Sequence, residues 1–276
     1  MEQFIYENEK GESIELSPAT PFVIKDYEGL NGLENIIDHD RLVNQDGTTI
    51  SNENLGVRYI VLTGTIIDNV ARNRLRLSSV INPKLGGVLQ YKKGNIIRKI
   101  PCRVEKTPVL NNEIYPEFII YLFCPNPYLL SIHRLGQEIS SWIGGLQFPF
   151  SLPFALRQRG GTRQNIINSG DVATPLEIIF KGPALNPKIT NHTTGEYIKI
   201  DRELTTDDTL YITTHFGNKR VEVERFGERE DAHHYMDLDS TFFKLQAGDN
   251  LIEYTTEDEL VSQGVEVRYY NRYLGI

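Results

Sequence analysis

The sequence predicts a mainly β protein in two domains, the first a β-sheet body carrying one helix and the second a β-sandwich or jelly roll. Three observations carry this reading. Apolar and polar residues alternate with a period of two along much of the chain, the pattern of strands with one face in a core. Only one stretch reads as an amphipathic helix. Gly, Asn, Asp and Pro recur as turn signals between strand-like runs, at intervals too short for intervening helices.

With 276 residues, the chain exceeds the usual single-domain size, so two domains of about 100–150 residues are expected. The boundaries follow texture: a first domain at 1–130, a connector at 131–165 and a second domain at 166–276. In the first domain, "VRYIVLTGTII" (57–67) sets Val57, Tyr59, Val61, Thr63 and Thr65 on one face and Arg58, Ile60, Leu62 and Ile66 on the other. That is a strand with both faces expected to be largely covered. "GVLQYKKGNIIRKIPCRVEK" (87–106) reads as two strands joined around Lys93-Gly94-Asn95, where glycine supplies the positive φ of a tight hairpin. "EFIIYLFCPNPYLL" (117–130) is a further strand, closed by Pro125 and Pro127, neither of which can donate to a ladder.

The helix is expected at about 69–82, within "DNVARNRLRLSSVINP". Asp68 or Asn69 can cap its start and Pro83 stops it. Val70, Leu77, Val80 and Ile81 share one side, with Arg72, Arg74 and Arg76 mostly on the other, as a solvated face or one that meets an acidic partner.

The connector mixes Gly144-Gly145, Pro149, Pro153 and Gly160-Gly161 with scattered aromatics, too apolar for a disordered linker. Beyond it short strands recur: "PLEIIFKG" (175–182), "EYIKI" (196–200), "TLYITTH" (209–215), "KRVEVERF" (219–226), "NLIEYTT" (250–256) and "VEVRYYNRYL" (265–274). "HFGNKR" makes 209–226 a hairpin. Such a run without helices means a sandwich or jelly roll.

Composition narrows the class. A net charge of −8 argues against a general nucleic-acid binder. The acid is concentrated late: residues 1–130 carry a net −2 and residues 131–276 a net −6. Cys102 and Cys124 make no disulfide framework and are expected to be buried, inert thiols. No apolar run approaches the length of a membrane span, so no membrane insertion is expected. The N-terminus lacks a basic-then-apolar export pattern, so synthesis in a cytoplasm without export by the usual signal is expected.

The catalytic search is mostly negative. Phosphate-binding, dinucleotide-binding, nucleophile-elbow and H-E-x-x-H patterns are missing. For metal, the best candidate is "EREDAHHYMDLD", with Asp231, His233, His234, Asp237 and Asp239. Adjacent histidines on a strand point to opposite faces, which favours a solvated polar edge over ligation. Asp171, in "NSGDVATP", is expected to shape a turn by bonding local backbone N–H groups. Trp142, Tyr269, Tyr270 and Tyr273 are the aromatics a sugar platform would use, though rings in β proteins are usually core. No catalytic, cofactor-binding or metal-ligating residue is assigned.

In order along the chain, "NQDGTTI" (44–50), "VRYIVLTGTII", "INPKLGG" (81–87), "IPCRVE" (100–105), "FCPNPYL" (123–129), "NSGDVATP" (168–175), "NPKITNHTTGEYIKI" (186–200) and "FFKLQAGDNLIEY" (242–254) resemble the distal tail protein family of long, non-contractile-tailed bacteriophages. Each motif alone is strand-plus-turn chemistry; their succession over nearly the whole chain carries the likeness. The resemblance implies an N-terminal β-sandwich with its helix and a C-terminal galectin-like jelly-roll sandwich. It also implies a structural, non-enzymatic part of the virion's tail tip, assembled in the host cytoplasm. The expected partners are copies of itself in a homo-hexamer, as one ring or two stacked rings, together with the tail tube protein, the tail-tip protein and receptor-binding proteins. Phage DNA would pass through the lumen without specific binding, which a mildly acidic lining would favour. No cofactor is implied. A carbohydrate- or cell-surface-binding sandwich module is the alternative.

Overall fold

The computed structural model describes residues 2–43, 46–139, 142–143, 158–159, 163–257 and 264–276. They fall into two compact units, Met1–Ile132 with Tyr273–Ile276, and His133–Arg272. Both are β-built, and the strand pairs described below are antiparallel.

In the first unit the strands are β1 (Glu2–Asn8), β2 (Ser13–Leu16), β3 (Phe22–Glu28), β4 (Asn35–Asp40), β5 (Thr49–Leu55) and β6 (Arg58–Ile66). After helix α1 (Val70–Val80) come β7 (Gly86–Lys93), β8 (Ile96–Leu110), β9 (Glu117–Cys124) and β10 (Leu129–Ser131). One sheet runs β2-β1-β7-β8-β9-β6-β3. The end strands β2 and β3 are consecutive, and the turn between them is held where the Ser17 N–H donates to Phe22 O at 3.0 Å. The sheet thus folds over a single core that includes Phe4, Tyr6, Leu62, Phe118 and Leu122. The predicted hairpin is β7–β8, with Gly94 at φ 57 in its turn.

Alternation places Arg58, Ile60, Leu62 and Ile66 of β6 inside, as expected. The opposite row is only partly covered, for Val57 and Tyr59 are exposed. The helix buries Leu77 and Val80, packs against β2, β6 and β8, and ends where the Ile81 N–H donates to Leu77 O. Its start corrects the expected cap. Asn69 adopts a left-handed φ of 40 and makes no side-chain cap bond, because a capping side chain reaches the first turn from extended backbone. Instead Asn73 Nδ2 donates to Asp68 O at 2.6 Å. The arginine row is also split: Arg72 and Arg76 are exposed, while half-buried Arg74 donates to Asn111 O.

The second unit begins with β11 (Leu135–Ile139), then β12 (Trp142–Ile143) and β13 (Gln158–Arg159), which pair with each other. The rest of the predicted connector's interior, 140–141, 144–157 and 160–162, lies outside the described residues. Next are β14 (Arg163–Asn168), β15 (Leu176–Lys181), β16 (Ala184–Leu185), β17 (Lys188–Asn191), β18 (Glu196–Lys199) and β19 (Glu203–Leu204). The remaining strands are β20 (Asp208–His215), β21 (Asn218–Arg225), β22 (Glu228–Asp231), β23 (Gly248–Thr255) and β24 (Val265–Tyr269), after which β25 (Arg272–Tyr273) pairs with β10 in the sheet of the first unit.

One sheet orders β11-β24-β15-β20-β21-β22 and a second β14-β23-β17-β18. Ile178, Phe180, Ile212 and Val265 from the first and Ile166, Ile189, Ile252 and Tyr254 from the second share one core, which makes the unit a sandwich. The predicted hairpin at 209–226 is β20–β21. The predicted strand at 265–274 divides into β24 and β25 around buried Asn271.

Candidate functional site

The turn carrying Asp171 is organised by a different residue. Asn168, 1% exposed at the end of β14, accepts the Gly170 N–H on Oδ1 at 3.0 Å and donates Nδ2 to Val172 O at 2.9 Å and Leu245 O at 3.2 Å. This is the Asx-turn geometry expected of Asp171, moved three residues upstream. Asp171 is exposed and gives its backbone N–H to Arg272 O at 2.8 Å. A carboxylate in place of the buried carboxamide would forfeit the two donated bonds, which is why asparagine sits inside and aspartate outside.

The Asp/His cluster is spread along a strand end and a loop. Asp231, last residue of β22, accepts the His233 N–H at 2.9 Å in a local Asx-type bond, with His233 Nδ1 3.1 Å away, just before the 3-10 turn His233–Tyr235. The His233 backbone bond, helped by its ring, holds the Asp231 carboxyl below its ordinary value. His234 stacks on Tyr235 at 4.0 Å, and Asp237 accepts the Tyr197 hydroxyl at 2.8 Å. The described residues bring no three His, Cys, Asp or Glu together in ligand geometry. Cys102 and Cys124 are buried and unbridged, and a hydrogen bond from Cys102, with burial, pushes the Cys124 thiol far up.

The candidate aromatic platform does not converge. Tyr269 is core, its hydroxyl donating to Ile167 O at 2.9 Å. Tyr273 lies under Arg98, with 3.5 Å from the guanidinium to the ring centroid. The Trp142 side chain lies outside the described residues.

Two ionic anchors escaped the sequence reading. Arg58, 2% exposed, sits in the apolar row of β6 with carbonyls for partners. It donates Nε to Pro127 O at 2.6 Å, NH1 to Gly29 O at 2.6 Å and Leu30 O at 2.9 Å, and NH2 to Leu274 O at 2.7 Å. Burial draws its pKa down, yet a guanidinium stays charged. In the second unit, buried Asp208 takes a bidentate pair from Arg225 at 2.7 and 2.8 Å, plus the Thr205 N–H and hydroxyl at 2.7 and 2.8 Å. Arg225 and these bonds hold the Asp208 carboxyl well below the usual carboxylate range.

Among the described residues, the β4–β5 hairpin is one surface open to a partner. It forms a two-stranded sheet of its own, its base closed where the Gly56 N–H donates to Glu34 O at 2.9 Å. Ile36, Ile37 and Ile50 are about half exposed, at 50%, 47% and 58%, and Leu42 and Val43 stand out further near its end. Ile36 and Ile37 are consecutive, so the ribbon presents aliphatic side chains on both faces. The sequence signal was there in "NIIDHD", but nothing in it says that no third strand covers the pair.

These geometries place the protein among β-built parts whose polar groups serve turns, caps and anchors. Residues 169–273 match the family described as "Siphovirus-type tail component, C-terminal domain". The fold matches the crystal structure of SPP1 Dit (gp 19.1), described as a paradigm of hub adsorption apparatus in phages infecting Gram-positive bacteria. That match has a TM-score of 0.68 at 12% identity and covers 98% of this chain and 99% of the other. A chain of the phage p2 baseplate in its activated conformation with strontium matches with a TM-score of 0.53 at 9% identity, over the full length of both. A search of curated protein sequences finds no match. The likeness to distal tail proteins drawn from the sequence is met again in the family match over residues 169–273 and in the fold over nearly the whole chain.

Proposed function

We propose that the chain is a distal tail protein, a structural subunit of which six copies close into a ring at the tip of a phage tail. The ring joins the tail tube to the tip and the receptor-binding proteins, singly or as two stacked rings, with DNA passing through its lumen. The first unit forms the ring, and the second is read as galectin-like. The virion is where the protein resides, after assembly in the host cytoplasm.

The observation that carries this reading is the β4–β5 ribbon. A lone two-stranded ribbon is marginal in water, and exposed aliphatic residues on both faces gain burial only against another surface. A neighbour in a ring supplies one, because a heterologous contact repeated by rotation closes without leaving the last ribbon bare.

The test is electron microscopy with solution mass measurement on the intact protein, mixed with neighbouring tail proteins where rings do not form alone. Six 31.6 kDa chains give about 190 kDa, or twice that for stacked rings. Replacing 35–55 by a three-residue Gly-Asn-Gly link between Glu34 and Gly56 is expected to leave a folded monomer. Unchanged rings without the ribbon would remove this account of the interface, and a strict monomer beside its neighbours would remove the hub.

A further inference from the structure

The hairpin linking β21 to β22 turns through Phe226 and Gly227, both at positive φ, 52 and 84. Such a two-residue loop favours Asn, Asp or Gly at its first position, since an L side chain resists the left-handed region. Here the position holds phenylalanine, whose ring is 83% exposed and so gains little from the core. A strained, uncovered aromatic ring has no account within the fold, and strain held at one point is a reason to look for a ligand.

The ring stands at the rim of an open cleft of about 420 Å³, lined also by Arg202, Arg225, Glu228 and Glu230, with Val223 among its apolar walls. Its planar groups are held in place. Arg225 is locked by the bidentate pair with buried Asp208. Arg202 lies 4.8 Å from the Tyr235 ring centroid and 2.6 Å from Glu230. The guanidinium N–H groups that these pairs leave over and the neighbouring carboxylates offer donors and acceptors side by side to a polyhydroxyl ligand. An aromatic face beside them suits the C–H face of a sugar ring.

We propose that this cleft is a saccharide site, in which Phe226 stacks on a pyranose ring while Arg202, Arg225, Glu228 and Glu230 hydrogen-bond its hydroxyls. The site lies within the second unit and requires no ring assembly, so it stands or falls separately from the hub.

Saturation-transfer NMR on the intact protein tests it, with free glucose, galactose, rhamnose and N-acetylglucosamine each at millimolar concentration. At least one sugar is expected to receive saturation. Phe226→Asn is expected to weaken that sugar's binding at least tenfold while raising the thermal midpoint, because the turn is relieved. Phe226→Trp should keep or strengthen it. Four sugars without transfer, or transfer that Phe226→Asn leaves unchanged, would overturn the proposal. A lowered midpoint in Phe226→Asn would overturn its premise of strain.

Discussion

Replacing Arg58 with methionine keeps an aliphatic stem of similar length but leaves the carbonyls of Gly29, Leu30, Pro127 and Leu274 without their charged donor. A hydrogen bond to a charged group is worth about 1.5–3 kcal/mol net. Four such values cannot be summed, because the native side chain also bears the cost of burial. Three of the bonds are only partly buried, so water can reach some of the abandoned oxygens. Stranding a buried acceptor costs about 1–3 kcal/mol, and with one of the four bonds fully buried Arg58→Met is expected at about 3 kcal/mol in all. The loss should be local to the first unit. Peptide-resolved hydrogen exchange on the full chain is therefore the assay, since a single melting curve would blend two units. At about 1.4 kcal/mol per decade, 3 kcal/mol amounts to roughly a hundredfold loss of protection. It should appear in peptides from β6, β9 and 273–276, with β20 and β21 unchanged. A drop smaller than about tenfold, or one shared equally by both units, would refute the anchor. Arg58→Lys is expected to fall nearer methionine than arginine, because one ammonium cannot span four carbonyls.

Other consequences follow from single contacts. The Asp208 carboxyl has a folded pKa depressed below its unfolded value, so its contribution is complete above about pH 4 and fades as the pH falls further. Asp208→Asn should therefore destabilise the second unit at pH 7 by about 2 kcal/mol and flatten the acid limb of a stability–pH curve; an unchanged limb would contradict the pairing. Asn168→Ala is expected to cost about 2 kcal/mol by stranding buried backbone groups, whereas Asp171→Asn should stay within about 0.5 kcal/mol in urea unfolding. Gly64 lies in β6 where a Cβ would come within 2.5 Å of both the Phe118 ring and Val23 O, so Gly64→Ala should cost about 1–3 kcal/mol by overpacking. Native protein should label slowly with maleimide at neutral pH and take up two equivalents once denatured, as both thiols are buried and Cys124 resists ionisation.

The strands that were legible in the sequence are those with one face in a core, for burial imposes the alternation. That holds for β6, β9, β20 and β21, and the tight turns at Gly94 and Gly217 were legible for the same local reason. What the sequence hid depends on contacts between distant residues. Arg58 lay in phase with Ile60, Leu62 and Ile66, and that was a usable signal, since a charge in a core row needs partners. Its partners are main-chain carbonyls from positions 29, 30, 127 and 274, and a carbonyl carries no residue signature. The Asn168/Asp171 exchange is subtler. Either residue can form an Asx-turn, and only the need to donate to Val172 O and Leu245 O inside the core selects the amide. At the helix start, Asn69 was read by residue type alone, while its backbone φ decides whether it can cap.

The same reasoning explains why function is harder to read here than fold. Arg58 and Asp208 are charges whose partners lie within their own units, so neither is available for chemistry or for a neighbour. Each unit also leaves apolar surface that its own fold does not cover, including the aliphatic residues of β4–β5, Leu75 and Ile114 in the first and Phe216, Phe226 and Leu238 in the second. Uncovered apolar surface at defined positions is what association uses, since removing it from water supplies the driving force. Exposed apolar groups such as these are the ones a neighbouring surface would cover. On that physical ground the function proposed above is one of association, since burial of these groups is the driving force the fold leaves available.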